Sequence, residues 1–512
     1  MKRSDLVIAP SIFIACLALY IRTLAQGLLF GDSAEFQTIA YTMGLGHPTG
    51  YPVYVFLAKI FTYLPIGEIA YRVNLLSAVT ASVTITFIYL IIRTLGPNPV
   101  SALFASLILA LTPLFWKHAA IAEVYAISSA CLVLILFALF RWKESKNSIW
   151  LFLAGMFGGL SLGIHATVAL AAPAVLMYLT ITGRSAGEKP GDRVKPALFG
   201  ALVGLIIFLL FFYYLDHRNS PAGYYNTVAL PSLSAWGMKS SDFNSPLKRL
   251  EFLFFPPQFK GQFLAVPFDE VIERSEEFVQ NFAVLLVFSL IGILSFFIPF
   301  SRSPARSEEG WFLIAALVIF MIFAVTYDVH DFNVFYIPSI LILVICAGCG
   351  VQRLVDMIGT LQKFRLPVIT IAYIVCYWIA IGHLAGNVPN AWSDRMPPGL
   401  EEKDRYGFQF PQAYKLKAEM IVTKIEDDSI VFTDWDKVYD LYYVSHVLQG
   451  RTNMDFHQVN PQTGTYLLPD SMLAYIDANI DLRPIYFTKY PSSLAGVYKV
   501  IPAESGLFQI LK

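Results

Sequence analysis

The sequence predicts a multi-pass α-helical membrane protein with about eleven transmembrane helices, followed by a small α/β domain outside the membrane. Two observations carry this prediction. Of the 512 residues, 56% are hydrophobic and only 14% are charged, and the mean hydropathy is +0.58, whereas a soluble domain averages about 45–50% apolar and about 25% charged residues. After about residue 385 the long apolar segments stop, and charged and turn-forming residues become frequent up to residue 512.

Eleven apolar segments approach the length of about 20 helical residues that crosses a bilayer. They lie near residues 6–24, 70–92, 98–115, 119–140, 149–163, 166–182, 197–215, 282–300, 311–327, 333–350 and 367–384. The fifth and sixth are short, so we expect them to be tilted or to form a helical hairpin together. The first apolar run leads into Tyr20-Ile21-Arg22 rather than a small-residue cleavage site, so we interpret it as an uncleaved span.

Basic residues between the segments define the predicted orientation. With eleven spans, these residues all fall on one face: Lys2, Arg3, Arg141, Lys143, Lys146, Arg184, Lys189, Arg193, Lys195, Arg302, Arg306, Arg353, Lys363 and Arg365. Loops rich in Lys and Arg stay in the cytoplasm, so we expect a protein of the cell membrane with a cytoplasmic N-terminus and an extracytoplasmic C-terminal domain. The 25–69 and 216–281 loops then lie outside. Residues 53–63 predict a helix at the membrane surface, and the aromatic 216–281 loop either braces a lipid-facing cavity or is poorly ordered.

The predicted boundary between the two domains lies at residue 385. Residues 1–385 form the membrane domain, and residues 386–512 are numerous enough for a domain that folds on its own. In the second domain we expect a buried strand over 429–433, a loop at 434–436, a helix over 438–448 and further strands near 485–487 and 496–501.

Several classes of function find no support in the composition. Lys plus Arg and Asp plus Glu both number 37, so the formal net charge is zero and no nucleic-acid partner is expected. The sequence has no P-loop, no dinucleotide-binding glycine motif and no HExxH zinc motif. Cys346 and Cys349 have the spacing of a redox or metal motif, but their place inside a predicted membrane helix favours small-residue packing.

The first extracytoplasmic loop contains the densest group of residues that could carry chemistry. They are Asp32, Glu35, His47 and Tyr51, in a segment rich in glycine and proline. A structural alternative is that Asp32 or Ser33 caps a helix, with Glu35 supporting it from the first turn. A cap needs one such residue and a site needs several, so the sequence favours a site with Asp32 and Glu35 as catalytic candidates.

Further polar residues lie at the predicted outer ends of other spans: Arg72, Asn74, Lys117, Glu123, Tyr125, His165 and Asp331. Ionisable groups at membrane depth are costly unless they face water or a partner, which makes these residues candidates for substrate binding. The alternative is snorkelling or a structural ion pair, such as Glu123 with Lys117 or Arg72. Because the set shares the face that carries Asp32, we predict one polar cavity.

An outward cavity with an acid at its floor and an opening to lipid suits glycosyl transfer from a polyprenyl-phosphate sugar. The lipid tail stays in the bilayer and a carboxylate takes the proton from an acceptor hydroxyl. A cation such as Arg72, Lys117 or a histidine stabilises the departing phosphate. No cofactor is certain, although a divalent cation could bind if these carboxylates converge: Asp32, Glu35, Asp328 and Asp331. A transporter using the same cavity and a non-catalytic envelope assembly protein remain as alternatives.

Several segments together resemble the DUF2723 family. They are Gly31-Asp32-Ser33-Ala34-Glu35-Phe36, Gly46-His47-Pro48-Thr49-Gly50-Tyr51-Pro52 and Tyr71-Arg72-Val73-Asn74-Leu75, supported by Ala122–Tyr125, Gly159–His165 and Asp331 ahead of Phe335–Pro338. The family includes protein O-mannosyltransferases and belongs with the GT-C glycosyltransferases, which are multi-pass enzymes using lipid-phosphate-linked sugars.

The resemblance implies a GT-C-like fold, with a catalytic acid that maps onto Asp32 and with Glu35 as a neighbour that tunes it or binds the acceptor. It implies membrane lipids, a polyprenyl-phosphate sugar and a protein or glycan acceptor as partners, with mannose or another hexose transferred. Thr49 and Ala34 differ from the proline and glycine that many members have, and neither change removes a titratable group.

Overall fold

The computed structural model describes residues 3–182, 190–298, 306–360, 365–460 and 467–512. Its membrane part contains α1 (Asp5–Arg22), α2 (Gly31–Thr42), α3 (Pro52–Thr62), α4 (Ile69–Leu95), α5 (Pro99–Leu111), α6 (Pro113–Ala119), α7 (Val124–Ser145), α8 (Ile149–Ser161), α9 (Ala172–Ile181), α10 (Pro190–Arg218), α11 (Leu230–Ser232), α12 (Pro246–Phe254), α13 (Phe268–Phe297), α14 (Ser307–Thr326), α15 (Ile337–Thr360) and α16 (Arg365–Ala385). Then follow α17 (Asn387–Asp394), α18 (Glu402–Gln409), α19 (Ala413–Val422), β1 (Ile430–Thr433), α20 (Trp435–Tyr442), β2 (Asp455–Gln458), α21 (Asp470–Asn479), β3 (Ile485–Phe487), β4 (Lys499–Pro502) and β5 (Phe508–Leu511).

Seven helices in the described part of the chain are long and apolar enough to cross a membrane: α1, α4, α7, α10, α13, α14 and the helix that includes α15. An eighth crossing is added if α5 and α6 count as one span, because together they pass the same test although they are bent by 69°. Each of the eleven predicted segments coincides with helical structure, and the predicted surface helix is α3. The number of eleven crossings stays a prediction.

The predicted and observed spans differ most at two places. The predicted span at 98–115 is broken at Thr112, because Pro113 has no N–H to continue the backbone ladder. The predicted span at 282–300 is the second half of α13, which begins at Phe268 and has non-helical dihedral angles at Phe282. Its last two residues, 299–300, lie outside the described part of the chain, as do Lys2, Arg184, Lys189, Arg302 and Lys363 of the predicted cytoplasmic loops.

Glycines allow two helix pairs to pack with their backbones in contact. A Cβ atom on Gly159 of α8 would lie 2.3 Å from the carbonyl oxygen of Ala201 in α10, and one on Gly204 of α10 would lie 2.2 Å from that of Met156. In α13, a Cβ on Gly292 would lie 1.8 Å from the carbonyl oxygen of Cys346 in α15. Cys346 is a free, buried thiol, so its surroundings are those that small-residue packing predicts.

The C-terminal part contains a five-stranded sheet in the order β2-β1-β3-β5-β4. β1 pairs in parallel with β2 and β3, while β5 pairs antiparallel with β3 and β4. The predicted strands at 429–433 and 485–487 are β1 and β3, and the strand predicted at 496–501 is β4, which starts three residues later. The predicted loop at 434–436 is the start of α20, whose helix continues as a π-helix over Tyr443–Leu448.

The C-terminal part packs directly on the first loop, residues 25–69, and on the start of α4. The backbone N–H of Ala70 donates to the Tyr443 hydroxyl at 2.9 Å, and Lys415 forms an ion pair with Glu68 at 2.9 Å. α16 ends at Ala385, where the sequence predicts the domain boundary. Independent folding of residues 386–512 and the orientation of the termini stay predictions.

Candidate active site

A cavity of about 1090 Å³ lies where the first loop, residues 25–69, meets the C-terminal part of the chain. Its wall also includes the start of α7, the segment that follows α8, the 216–281 loop and the segment between α14 and α15. The predicted site residues on this wall are Asp32, His47, Tyr51, Tyr125, His165 and Asp331. The cavity is as large as the upper range of small-molecule sites, about 1,000 Å³, so it can hold a sugar together with part of a lipid.

Asp32 lies in the first turn of α2, where its carboxylate faces the cavity. The helix begins after Phe30 and no side chain caps it, so neither Asp32 nor Ser33 has the structural capping role considered above. Asp32 Oδ1 accepts a hydrogen bond from the indole N–H of Trp435 at 3.0 Å. The side chain is 43% exposed, and its Oδ2 lies 3.9 Å from His47 Nε2. One carboxylate oxygen is therefore fixed by an indole, and the other remains accessible.

Glu35 lies one helical turn further along α2 and is fully buried. Its Oε1 accepts hydrogen bonds from the backbone N–H of His47 at 2.8 Å and from the Tyr439 hydroxyl at 3.0 Å. Its Oε2 is in direct contact with His47 Nδ1. Glu35 therefore holds His47 in place from behind and is not part of the cavity wall.

His47 is the link between the two carboxylates. Burial alone would lower the pKa of the His47 imidazole, but the negative charges of Glu35 and Asp32 outweigh burial and raise the pKa to about 9. The ring lies on the wall with a side-chain exposure of 18%. Gly46 leaves room for this turn, because a Cβ there would lie 3.1 Å from both Ile39 and Tyr51.

A row of aromatic and imidazole rings continues along the wall away from Asp32. The Tyr51 ring stacks at 6.3 Å on His165, and Tyr125 lies 5.5 Å from the same imidazole. Burial lowers the pKa of His165 to about 4, and the positive charge of His47 acts in the same direction. His165 is therefore a neutral hydrogen-bonding group at physiological pH.

Glu123 and Asp331 are two further acidic residues near the cavity, and their surroundings disfavour the charged form of both side chains. Burial raises the pKa of the Glu123 carboxyl well above its ordinary value, and the charges of Asp32 and Asp331 raise it further. Burial also raises the pKa of the Asp331 carboxyl, again with a contribution from Asp32. Glu123 directly precedes α7 and is not among the residues that line the cavity.

The structure does not bring four of the predicted substrate-binding residues to the cavity wall: Glu123, as described above, and Arg72, Asn74 and Lys117. Arg72 donates to the backbone carbonyls of the turn that precedes α4, including that of Thr62 at 2.8 Å. Asn74 donates to the carbonyl of Ala25 at 2.9 Å, and Lys117 forms an ion pair with Asp404 at 2.7 Å. Arg72 and Asn74 thus tie the first loop to α4, and Lys117 ties α6 to α18. Lys117 is in a structural ion pair, which is the alternative that the sequence left open, but its partner is Asp404 rather than Glu123.

Other wall residues were not predicted from the sequence. The C-terminal part contributes Trp435 and Gln458, and the 216–281 loop contributes Tyr224 and Lys260. Tyr224 is tied to the first loop by its backbone N–H, which donates to the carbonyl of Leu45 at 2.8 Å. The aromatic content of the 216–281 loop was the only sequence feature that pointed to this region.

Metal binding was the remaining open question about the carboxylates. Within the described residues, no group of three or more His, Cys, Asp or Glu side chains is placed to hold a metal ion. A divalent cation therefore stays a prediction without an assigned site.

Comparison of the whole structure with solved structures identifies the fold. ArnT from Cupriavidus metallidurans, in its apo state, matches over 98% of this chain and 97% of its own chain, with a TM-score of 0.60 and 13% identity. The arabinofuranosyltransferase AftD from Mycobacteria matches over 95% of this chain and 35% of its own, with a TM-score of 0.52 and 14% identity. The chain has a GT-C fold.

Sequence comparison relates part of this GT-C chain to protein O-mannosyl-transferases. Residues 32–187 match the family model described as the Protein O-mannosyl-transferase TMEM260 N-terminal domain. All predicted site residues except Asp331 lie in that range. The DUF2723 name stays a prediction.

Two curated proteins are each similar to part of the chain. Protein O-mannosyl-transferase TMEM260 of Mus musculus is 30% identical over 165 residues, which is 31% of this chain and 24% of the mouse protein. The protein of the same name from Dictyostelium discoideum is 24% identical over 230 residues, or 41% of this chain and 28% of its own length. The chain thus spans about a quarter of the length of these relatives.

Proposed function

We propose that this protein is a membrane glycosyltransferase that moves mannose or another hexose from a polyprenyl-phosphate donor to a protein or glycan acceptor on the extracytoplasmic face. The GT-C fold supports the class of enzyme. The two relatives are named protein O-mannosyl-transferases, which supports the reaction and the sugar. The matched segment begins at Asp32, the residue to which we assign the chemistry.

The observation that carries the proposal is the position of the Asp32 carboxylate in the cavity and the contacts of its two oxygens. Oδ1 is held by Trp435 and the side chain is 43% exposed, so Oδ2, which lies 3.9 Å from His47 Nε2, faces the cavity from which an acceptor hydroxyl would give it a proton. The acceptor oxygen forms a bond to C1 of the sugar while the bond from C1 to the phosphate oxygen breaks. The proton goes to Asp32, and the electron pair leaves with the polyprenyl phosphate.

The opposite wall of the cavity suits the lipid part of such a donor. Phe254, Phe255, Phe259 and Phe263 of the 216–281 loop line it, and Phe255 is among the most exposed large apolar side chains of the described residues. Exposed aromatic residues of this kind favour contact with an isoprenoid chain. Lys260, in the same segment, places a cation where the donor phosphate would meet the protein.

The direct test is sugar transfer in membranes supplied with labelled polyprenyl-phosphate hexoses. Asp32→Asn keeps the size of the side chain and its acceptor oxygen for Trp435, but it cannot take a proton. We expect a loss of about 10²- to 10⁴-fold, the usual contribution of a general base, in a protein that still folds.

The matched control is Asp436→Asn. Asp436 lies on α20 beside Trp435, but its carboxylate is exposed and pairs with Lys403 at 3.7 Å. This variant should transfer at the wild-type rate. Near-normal turnover by Asp32→Asn would refute the assignment of the base. Absence of transfer by folded wild type with every donor would favour transport or an assembly role.

A further inference from the structure

The hydrogen bonds of His47 determine where its protons lie. Tyr51 has one hydroxyl proton, and its hydroxyl donates to the Pro48 carbonyl at 2.9 Å. Toward His47 Nε2, at 2.8 Å, the Tyr51 oxygen can therefore only accept. On the other side of the ring, Nδ1 faces Glu35 Oε2, an oxygen of a carboxylate that also accepts two other hydrogen bonds. Both ring nitrogens then carry a proton, which makes the ring an imidazolium.

Every charged group near the ring favours this state. Asp32 and Glu35 of α2 and Glu123 before α7 are the carboxylates that act on it, and their charges outweigh burial to raise the pKa of His47 to about 9. The other rings packed against it are uncharged at neutral pH: Phe36, Tyr51, Tyr224, Trp435 and the more distant His165.

The cavity needs such a charge if it is to hold an anion. Asp32 and Asp331 on the wall are carboxylates and would repel a phosphate. Arg72 and Lys117, the cations that the sequence suggested for this role, are used elsewhere. Among the described wall residues, the groups that can oppose the two carboxylates are His47 and Lys260.

We infer that His47 is a fixed imidazolium, held by Glu35 and Tyr51, and that together with Lys260 it forms a phosphate-binding site on the cavity wall. Glu35 is then a positioning residue, because it touches His47 and no substrate. This inference rests on the proposed function only for the source of the phosphate: a polyprenyl phosphate or free phosphate would present the same chemistry.

The charge of His47 can be measured without turnover by nitrogen NMR on full-length protein labelled with ¹⁵N-histidine in nanodiscs. His47→Gln identifies the signal, and His217→Gln, at an exposed histidine of α10, is the matched control. We expect both His47 nitrogens to be protonated at pH 7.5 and to titrate near pH 9. In Glu35→Gln, one of the carboxylates that offset the effect of burial on His47 is missing, so His47 should titrate at a lower pH. A neutral His47 at pH 7.5, or an unchanged titration in Glu35→Gln, would overturn the inference.

Binding of farnesyl phosphate and of inorganic phosphate tests the ligand. We expect His47→Gln to bind farnesyl phosphate about 10- to 100-fold more weakly, the value of one charge-assisted hydrogen bond, and wild type to lose affinity above pH 9. Asp32→Asn and His217→Gln should bind at least as tightly as wild type.

Comparing the two phosphates shows whether the site binds a lipid phosphate or free phosphate. A change in the His47 signal with farnesyl phosphate alone supports a lipid phosphate, and an equal change with inorganic phosphate supports a free one. If neither changes the signal, or if His47→Gln binds normally, the site does not exist. If His47→Gln does not fold, Glu35→Gln carries the same test through the pH at which binding is lost. Normal binding of farnesyl phosphate without sugar transfer would refute the proposed function but not the phosphate-binding site.

Discussion

Replacing Trp435 by Phe tests whether the C-terminal part is a component of the catalytic site. The change removes the indole N–H that donates to Asp32 Oδ1 at 3.0 Å. Most of the ring remains, so the edge contacts with Tyr439 at 5.3 Å, Tyr224 at 6.1 Å and His47 at 6.2 Å can persist. The variant therefore isolates one hydrogen bond.

The expected size of the effect follows from the environment of that bond. A hydrogen bond to a charged group contributes about 1.5–3 kcal/mol, and the 43% exposure of Asp32 places this one at the lower end. Since about 1.4 kcal/mol corresponds to a factor of ten, we expect kcat/KM to fall about tenfold. The fall should appear mainly in kcat, because the bond orients the base rather than the donor.

The assay is transfer from a labelled polyprenyl-phosphate hexose, with Trp392→Phe as control. Trp392 lies in α17, is half-exposed and packs near Arg22 instead of the cavity. Its replacement should leave kcat/KM unchanged. A Trp435→Phe variant within twofold of wild type would show that the indole does not orient the base, and the C-terminal part would lose its assigned role in catalysis.

Two further predictions concern stability. The pKa of Glu123 is raised in the folded state, so ionisation of this carboxyl costs stability as the pH rises through the folded pKa. Glu123→Gln should therefore have a higher melting temperature than wild type at pH 8, and the difference should shrink toward pH 4. A difference in melting temperature that does not depend on pH would contradict this. Gly159→Ala should destabilise the protein by about 1–3 kcal/mol, because its Cβ would lie 2.3 Å from the Ala201 carbonyl oxygen. At the neighbouring Gly158 the space for a Cβ is open, so Gly158→Ala should cause no loss of stability. Equal melting temperatures for the two variants would refute the close packing of α8 and α10.

The part of the site that could be predicted from the sequence is the part that is local in the chain. Asp32 and Glu35 are one turn apart on α2, and His47 and Tyr51 follow in the next turn, so a short segment carries the whole group. Rejection of their capping role needed only the observation that several such residues occur together. Asp331 could be added because the outer ends of membrane helices lie at one level.

The roles of Arg72 and Lys117 could not be decided from the sequence. A basic residue at the outer end of a helix has the same sequence context whether it faces a cavity or closes a loop. Arg72 finds three backbone carbonyls within its reach in the turn before α4. Lys117 pairs with Asp404, almost 300 residues away in the sequence, and no local sequence pattern indicates such a partner.

The same limit applies to the C-terminal part. The strand predicted at 429–433 and the helix after it are clear from hydrophobic pattern, and both exist. β2 and β5 were missed because they are four residues long and contain polar residues. That Trp435 faces Asp32 depends on how the sheet packs on the first loop, which is a property of tertiary structure.

The contacts of Trp435 and Tyr439 also set the time at which the protein can become active during its synthesis. Trp435 is 403 positions from Asp32, and Tyr439 is 404 positions from Glu35. Contacts this distant in sequence form late, because most of the chain between them must be made and ordered first. A nascent chain with its first helices already inserted would hold Asp32 and His47 in the first loop for most of translation without the partners that orient them. The proposed sugar transfer would then begin only after the last quarter of the chain has been made and has docked on that loop.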